Sequence, residues 1–130
     1  MKAFDSVEWS FLKATLDAFD LPPWLTLSIM ACITSLRFSV SLNGELVGFF
    51  LAMRGLRQGD PLSPLLFVLV MEVFSCLLHR ATANPLYKFH WRCSRLKLSH
   101  LCFADDIFLF AKVDSHSVSL MMETLNKFAG

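Results

Sequence analysis

The sequence lacks an internal repeat, a low-complexity linker and an excess of charge of either sign. Twelve Lys+Arg against eleven Asp+Glu leave a net charge of +1. No global basic field therefore advertises nucleic acid, which leaves only a local patch to do so. The four cysteines, Cys32, Cys76, Cys93 and Cys102, are scattered and form no C-x-x-C pair. That spacing indicates neither a zinc site nor a disulfide framework, and the expectation is reduced, buried thiols in an intracellular protein. No charged segment followed by an apolar run and a cleavage site opens the chain, so no signal peptide is read. The longest apolar run, residues 65–71, stops at Glu72. This is far short of the roughly 20 residues of a membrane span, and no membrane partner is expected.

What is present is apolar. The chain is 130 residues long, enough for one domain, and 55% hydrophobic; soluble domains run nearer to about 45–50%. The excess suggests a piece of a larger fold, with surfaces meant to be covered by other elements.

The local signals alternate between helix and strand. Asp5 and Glu8 have the spacing of a capping box, ahead of a helix with Leu12, Leu16 and Phe19 on one face. Pro22-Pro23 ends that helix and starts a second over residues 24–35, with Leu25, Ile29, Cys32 and Ile33 on one face and Trp24 expected in the core. Residues 37–42 alternate as a half-buried strand does. Asn43-Gly44 then predicts a tight hairpin, because both centre positions of its turn need positive φ. Residues 46–53 return as the second strand.

The loop from Arg54 to Pro64 carries Gly55 and Gly59, which permit unusual backbone angles and close approach of a ligand. Asp60 and Pro61 suit the start of a long apolar helix reaching about Ala83 and buried on most sides. Arg54, Arg57 and Gln58 sit before that helix N-terminus, either as a phosphate-favouring cluster or as a plain solvated loop. Asn84-Pro85 ends the helix. Residues 87–98 interleave Lys88, His90, Arg92, Arg95 and Lys97 with Phe89 and Trp91. These are the ingredients of nucleic-acid binding, or of a solvated loop. A last helix is capped by Asp114 or Ser115, with Val118, Met121, Met122, Leu125 and Phe128 spaced for a core face.

In residues 101–110, Asp105 and Asp106 stand between two apolar runs that read as buried strands. The pair marks a hairpin turn. Two adjacent carboxylates also repel, and a hard divalent cation such as Mg²⁺ removes that repulsion. A structural turn and a metal site both remain open on these residues. His100 and Cys102 beside them read as packed rather than metal-bound.

Three stretches occur in order: Lys2-Ala3-Phe4-Asp5-Ser6-Val7-Glu8-Trp9, then Gly55-Leu56-Arg57-Gln58-Gly59-Asp60-Pro61-Leu62-Ser63-Pro64, then Phe103-Ala104-Asp105-Asp106. Together they resemble the reverse transcriptase of non-LTR (LINE-type) retrotransposons, most closely the plant forms. The resemblance implies an α+β fold, part of a polymerase palm in which an antiparallel sheet is packed on one face by helices. It also implies a single partial domain over residues 1–130, and RNA-directed DNA synthesis by two-metal nucleotidyl transfer.

On the same basis Asp105 and Asp106 match the family's catalytic, metal-binding pair for two Mg²⁺ ions. Phe4 matches the aromatic residue beneath the incoming sugar, and Gln58 and Gly59 match the loop against nucleotide and template. Implied partners are an RNA template, a DNA primer and a deoxynucleotide, with fingers and thumb segments of the same polyprotein. The family's first motif reads Asp-x-x-Lys-Ala-Phe-Asp, so its third metal-binding Asp would fall two residues before Met1. The expectation is that this chain alone does not polymerise DNA. Two rival readings are a non-catalytic relic and a nucleic-acid-binding module built on residues 88–97 and Arg57.

Overall fold

The computed structural model describes residues 3–35, 37–103 and 106–129. Lys2, Ala104 and Asp105 lie outside them, so the expectation placed on Asp105 does too. The fold mixes five α-helices with two small antiparallel sheets among the described residues. It divides into two compact units, Met1–Val70 and Met71–Gly130.

The first unit opens with a one-turn helix, α1 (Ala3–Ser6), followed by α2 (Trp9–Ala18) and α3 (Pro23–Thr34). The expected capping box does not form. Asp5 lies inside α1, and Glu8 takes the N-cap of α2 without a side-chain hydrogen bond. Leu12, Thr15 and Leu16 bury one stripe of α2. Phe19 is exposed instead, because the helix stops at Ala18 and Asp20 turns the chain at φ 54°. Pro23 starts α3 with its ring-fixed φ. Thr26 and Ile33 are buried on α3. Trp24, expected in the core, is 68% exposed, because it falls on the opposite face from them. Cys32 is exposed as well.

Strands β1 (Arg37–Leu42) and β2 (Glu45–Leu51) form the expected hairpin, with Asn43 and Gly44 both at positive φ, 52° and 87°. The register runs from Arg37↔Leu51 to Leu42↔Glu45 and shifts between Phe38 and Val40. Opposite that shift, Gly48 at φ 68° gives β2 the left-handed residue of a glycine bulge. The half-burial expected of β1 is not found: every residue of the strand is exposed. As a two-stranded sheet, the hairpin has no third strand among the described residues to cover its alternating apolar side chains.

Helix α4 (Leu62–Thr82) begins where Asp60 Oδ1 accepts the Leu62 N–H at 2.8 Å. Ser63, Leu66, Val70, Phe74 and Leu78 form one buried stripe at helical spacing, while Leu65 and Val68 are exposed. The helix is therefore packed along one stripe rather than on most sides. It is also long and apolar enough to cross a membrane. The uninterrupted apolar run understated this, since Glu72 interrupts a helix that stays largely apolar on both sides of it, up to His79 and Arg80 in the last turn.

The second unit packs Phe74, Leu78, Tyr87 and Met121 into a core, with Phe89, Leu109, Leu125 and Phe128 against it. Asn84 ends the α4 segment with an Asx turn, its Oδ1 accepting the Leu86 N–H at 3.0 Å. A single 3₁₀ turn (Ser94–Leu96) follows. Strands β3 (His100–Phe103) and β4 (Asp106–Leu109) pair antiparallel, from His100↔Leu109 to Phe103↔Asp106. The expectation of buried strands fails here. Leu101, Phe103 and Phe108 are exposed, because the two strands form a sheet of their own. Cys76 and Cys102, expected to be buried, are exposed too.

Helix α5 (Ser115–Ala129) has Asp114 at its start, accepting the Ser117 N–H at 2.9 Å and the Ser117 hydroxyl at 3.1 Å. Its inner face carries Ser117, Met121, Leu125 and Phe128. Val118 and Met122, expected there, are exposed one position off that stripe.

Candidate functional site

In the first unit, two of the three family-like stretches meet. The Gly55 N–H donates to Val7 O at 2.8 Å, and the Leu56 N–H donates to Phe4 O at 2.8 Å. In return, the Trp9 indole N–H donates to Gly55 O at 2.9 Å. The loop after β2 is thus clamped to the N-terminal segment through backbone groups of both. Leu56 is 2% exposed beneath this seam.

Only glycine fits at position 55. Its φ is 94°, and a Cβ there would stand 3.1 Å from both Cα and O of Asp5. The side chain of Phe4, half-buried, rests on Phe67 of α4 with ring centroids 4.9 Å apart. The clamp therefore fixes both the main chain and the ring of Phe4.

Beyond Leu56 the loop turns again. The Asp60 N–H reaches Arg57 O at 3.4 Å, and Gly59, at φ 85°, occupies the third place of that turn. Unlike Gly55, Gly59 has nothing within 4 Å of where a Cβ would be. Gln58 and Gly59 are exposed at the tip, with open space before the backbone of Gly59. An exposed amide side chain and an unobstructed backbone can meet a flat ligand edge by hydrogen bonds.

In the second unit, Asp106 is the exposed first residue of β4 and pairs with Phe103, which is 80% exposed. The hairpin is anchored at its other end. His100 bridges two hydroxyls, with Nε2 3.0 Å from Ser75 Oγ on α4 and Nδ1 2.9 Å from Ser99 Oγ. Burial holds the His100 pKa below the usual histidine value. The neighbouring His79 pushes the same way, and Glu72 opposes both. The Phe110 N–H donates to Ser99 O at 2.8 Å, and the Tyr87 hydroxyl donates to Phe110 O at 2.7 Å. Burial, then Cys93, raises the Tyr87 pKa, so the phenol stays a donor.

Among the described residues no three His, Cys, Asp or Glu side chains converge on one point. Among the described residues, Asp106 offers an exposed carboxylate at the end of the hairpin, the oxygen type that hard cations take.

The clamp residues Val7, Trp9, Gly55 and Leu56 all lie in the family-like stretches, but nothing in their local pattern pairs the two stretches. The one available signal was the glycine at position 55, flagged for unusual backbone angles. Nothing in the sequence pointed to His100 and Ser75 as partners, since they lie 25 residues apart.

A known family matches this chain along its whole length, and individual relatives match from half of it upward. Residues 1–130 match the family described as reverse transcriptase (RNA-dependent DNA polymerase). A transposon TX1 protein of Xenopus laevis is 34% identical over 111 residues, covering 85% of this chain and 8% of that protein. An uncharacterized mitochondrial protein of Arabidopsis thaliana is 46% identical over 66 residues, covering 50% of this chain and 54% of that protein. A retrovirus-related Pol polyprotein from a type-1 retrotransposable element R2 of Popillia japonica is 30% identical over 113 residues, covering 87% of this chain and 18% of the polyprotein. The chain thus spans from under a tenth to about half the length of these relatives. With its full length matched, the chain belongs to the reverse transcriptase (RNA-dependent DNA polymerase) family, of the LINE-type, non-LTR kind.

Proposed function

We propose that this chain is part of the palm of an RNA-directed DNA polymerase, one partial domain over residues 1–130 that works with fingers and thumb segments of a longer polyprotein. The observation that carries the reading is the clamp between Phe4 and Leu56. It ties the ring expected beneath the incoming sugar to the loop expected against nucleotide and template. A ring that excludes a 2′-hydroxyl by bulk must not yield, and Phe4 is held at its carbonyl by Leu56 and at its face by Phe67.

In this reading Gln58 and Gly59 line the nucleotide and template, and Asp105 and Asp106 are the catalytic carboxylates that would hold two Mg²⁺ ions. When bound, the ions supply neutralisation of the charge that builds on the phosphoryl group. The chain's own residues position the nucleotide and exclude the ribose hydroxyl. The substrates are an RNA template, a DNA primer and deoxynucleotides.

The test is a chimera in which residues 1–130 replace the matching segment of the Popillia R2 polyprotein. The chimera is expected to extend a DNA primer on an RNA template. Asp106→Asn should lower the rate by about a thousandfold or more, as loss of a metal-holding carboxylate does. Phe4→Ala should admit ribonucleotides. A chimera that binds primer and template but does not extend, or an Asp106→Asn variant as fast as its parent, would overturn the reading.

A further inference from the structure

Between Glu72 and Asp105 the sequence contains no acidic residue and five Lys or Arg, in a chain whose charges otherwise nearly cancel. Four of the five, Lys88, Arg92, Arg95 and Lys97, fall within residues 87–98. The chain there is a built loop, closed on itself by short backbone hydrogen bonds. The Cys93 N–H donates to His90 O at 2.9 Å, and the Leu98 N–H donates to Cys93 O at 3.1 Å. Lys97 adopts a left-handed φ of 49°. The loop is tied down at its start as well: Tyr87 is buried, and the Lys88 N–H donates to Ser117 Oγ at 2.9 Å.

The loop's three aromatic rings are treated differently. Tyr87 and Phe89 pack edge to face, 5.0 Å apart, on the core of the second unit. Trp91 is left 73% exposed, with the Arg92 guanidinium 4.6 Å from its ring centroid. An exposed indole costs free energy that the two neighbouring rings avoid by packing. Stacked on a guanidinium and carried on the same short loop as exposed Arg95 and Lys97, it offers what a single nucleic-acid strand needs, a flat ring for a base and cations for phosphates.

We propose that the loop of residues 87–98 is a contact for single-stranded nucleic acid, with Trp91 stacking on a base and Arg92, Arg95 and Lys97 meeting the phosphates. The loop shares no residue with the nucleotide-binding and carboxylate set of the proposed polymerase reading, and it stands or falls independently of that reading. An acidic peptide satisfies the cations but leaves the indole without a stacking partner, so the charge and the ring together favour the strand.

The test is binding of a fluorescein-labelled twelve-nucleotide single-stranded oligouridylate to the full chain, followed by anisotropy and by quenching of tryptophan emission. Trp91→Ala should weaken binding about tenfold or more, the range of a lost base stack, while Trp91→Phe retains most of it. Arg95→Ala with Lys97→Ala should lower the slope of log affinity against log salt by about 1.4, as two lost phosphate contacts on a single strand do. A 4-thiouridine oligonucleotide should cross-link within residues 87–98. Binding that ignores Trp91→Ala, cross-links that map elsewhere, or an acidic peptide that binds as tightly as the oligonucleotide would each overturn the proposal. Failure of the polymerase chimera with these results intact would sink only the polymerase reading.

Discussion

The loop after β2 is held along its middle, whereas the hairpin of β3 and β4 is held at one end. In the first unit Gly55 and Leu56 use their backbone groups on Phe4, Val7 and Trp9, and Leu56 is buried under the seam. In the second unit the bridge of His100 to Ser75 and Ser99, with half-buried Leu109, fixes the far end, while Phe103 and Asp106 stand exposed at the other. The difference follows from what each stretch carries. Neutral backbone can be buried once its hydrogen bonds are made. An ionised carboxylate loses too much hydration to be packed the same way, and among the described residues the anchoring of the second stretch lies at the end away from the charge.

The largest effect should come from removing the hairpin's anchor. Phe74 is fully buried, touches Phe128 at 4.8 Å between centroids and lies edge-on to His100 at 6.2 Å. Phe74→Ala should cost about 3–5 kcal/mol in urea unfolding of the second unit, the usual range for a deleted core aromatic. A loss under about 1 kcal/mol, the size of a surface change, would mean that the hairpin is anchored elsewhere.

The clamp can be broken at one atom. Gly55→Ala adds a Cβ 3.1 Å from the Asp5 backbone at a φ of 94°, so strain and collision combine. A destabilisation of about 2–3 kcal/mol is expected. Gly44→Ala is the control. Its φ is 87°, but nothing lies within 4 Å of the new Cβ, so only the backbone strain of about 1 kcal/mol remains. Equal losses at the two positions would show that the close approach to Asp5 contributes nothing. Trp9→Phe should sharpen the same point at a smaller scale. It leaves Gly55 O without its indole donor, and a loss of about 1–2 kcal/mol is expected, with faster hydrogen exchange at the Gly55 and Leu56 amides.

Much of this architecture was legible from local chemistry. Asn43-Gly44 specified its turn because two adjacent positive φ values leave few alternatives, and Asp60 announced α4 because an N-cap is a contact between near neighbours. Asp114 announced α5 in the same way. The failures share a cause. Asp5 and Glu8 have capping-box spacing, yet Phe4 O and Val7 O are taken by a loop some fifty residues away, and the helix starts later. Trp24, Val118 and Met122 have core chemistry, but helical spacing does not say which stripe finds a partner. The β1 side chains alternate correctly and still face solvent on both sides, since alternation records a strand and not what covers it. The functional residues were read from a resemblance, and the clamp that holds Phe4 was visible only once Gly55 was placed against Asp5.

The smallest expected effect is a dependence on pH at the hairpin's anchored end. The groups around His100 are Ser75, His79 and Glu72 on α4 and its neighbour Ser99. Burial and His79 together disfavour the imidazolium, so the folded pKa lies below the unfolded value of about 6.5. Above that value both states are neutral at this site and the anchor's contribution is intact. As pH falls below it, the unfolded chain takes up a proton that the folded chain resists, and stability declines until the folded pKa is also passed. His100→Gln keeps a polar side chain near the two serines and removes the titration. Urea midpoints at pH 7.5 and 5.0 should therefore differ less for His100→Gln than for the parent. The first unit's clamp joins backbone groups and an indole, none of which titrates in this range, so exchange at Gly55 and Leu56, corrected for the intrinsic pH dependence of amide exchange, should not follow the same curve. An unchanged pH dependence in His100→Gln would assign the proton to another group and remove His100 as the titrating group of the hairpin's anchor.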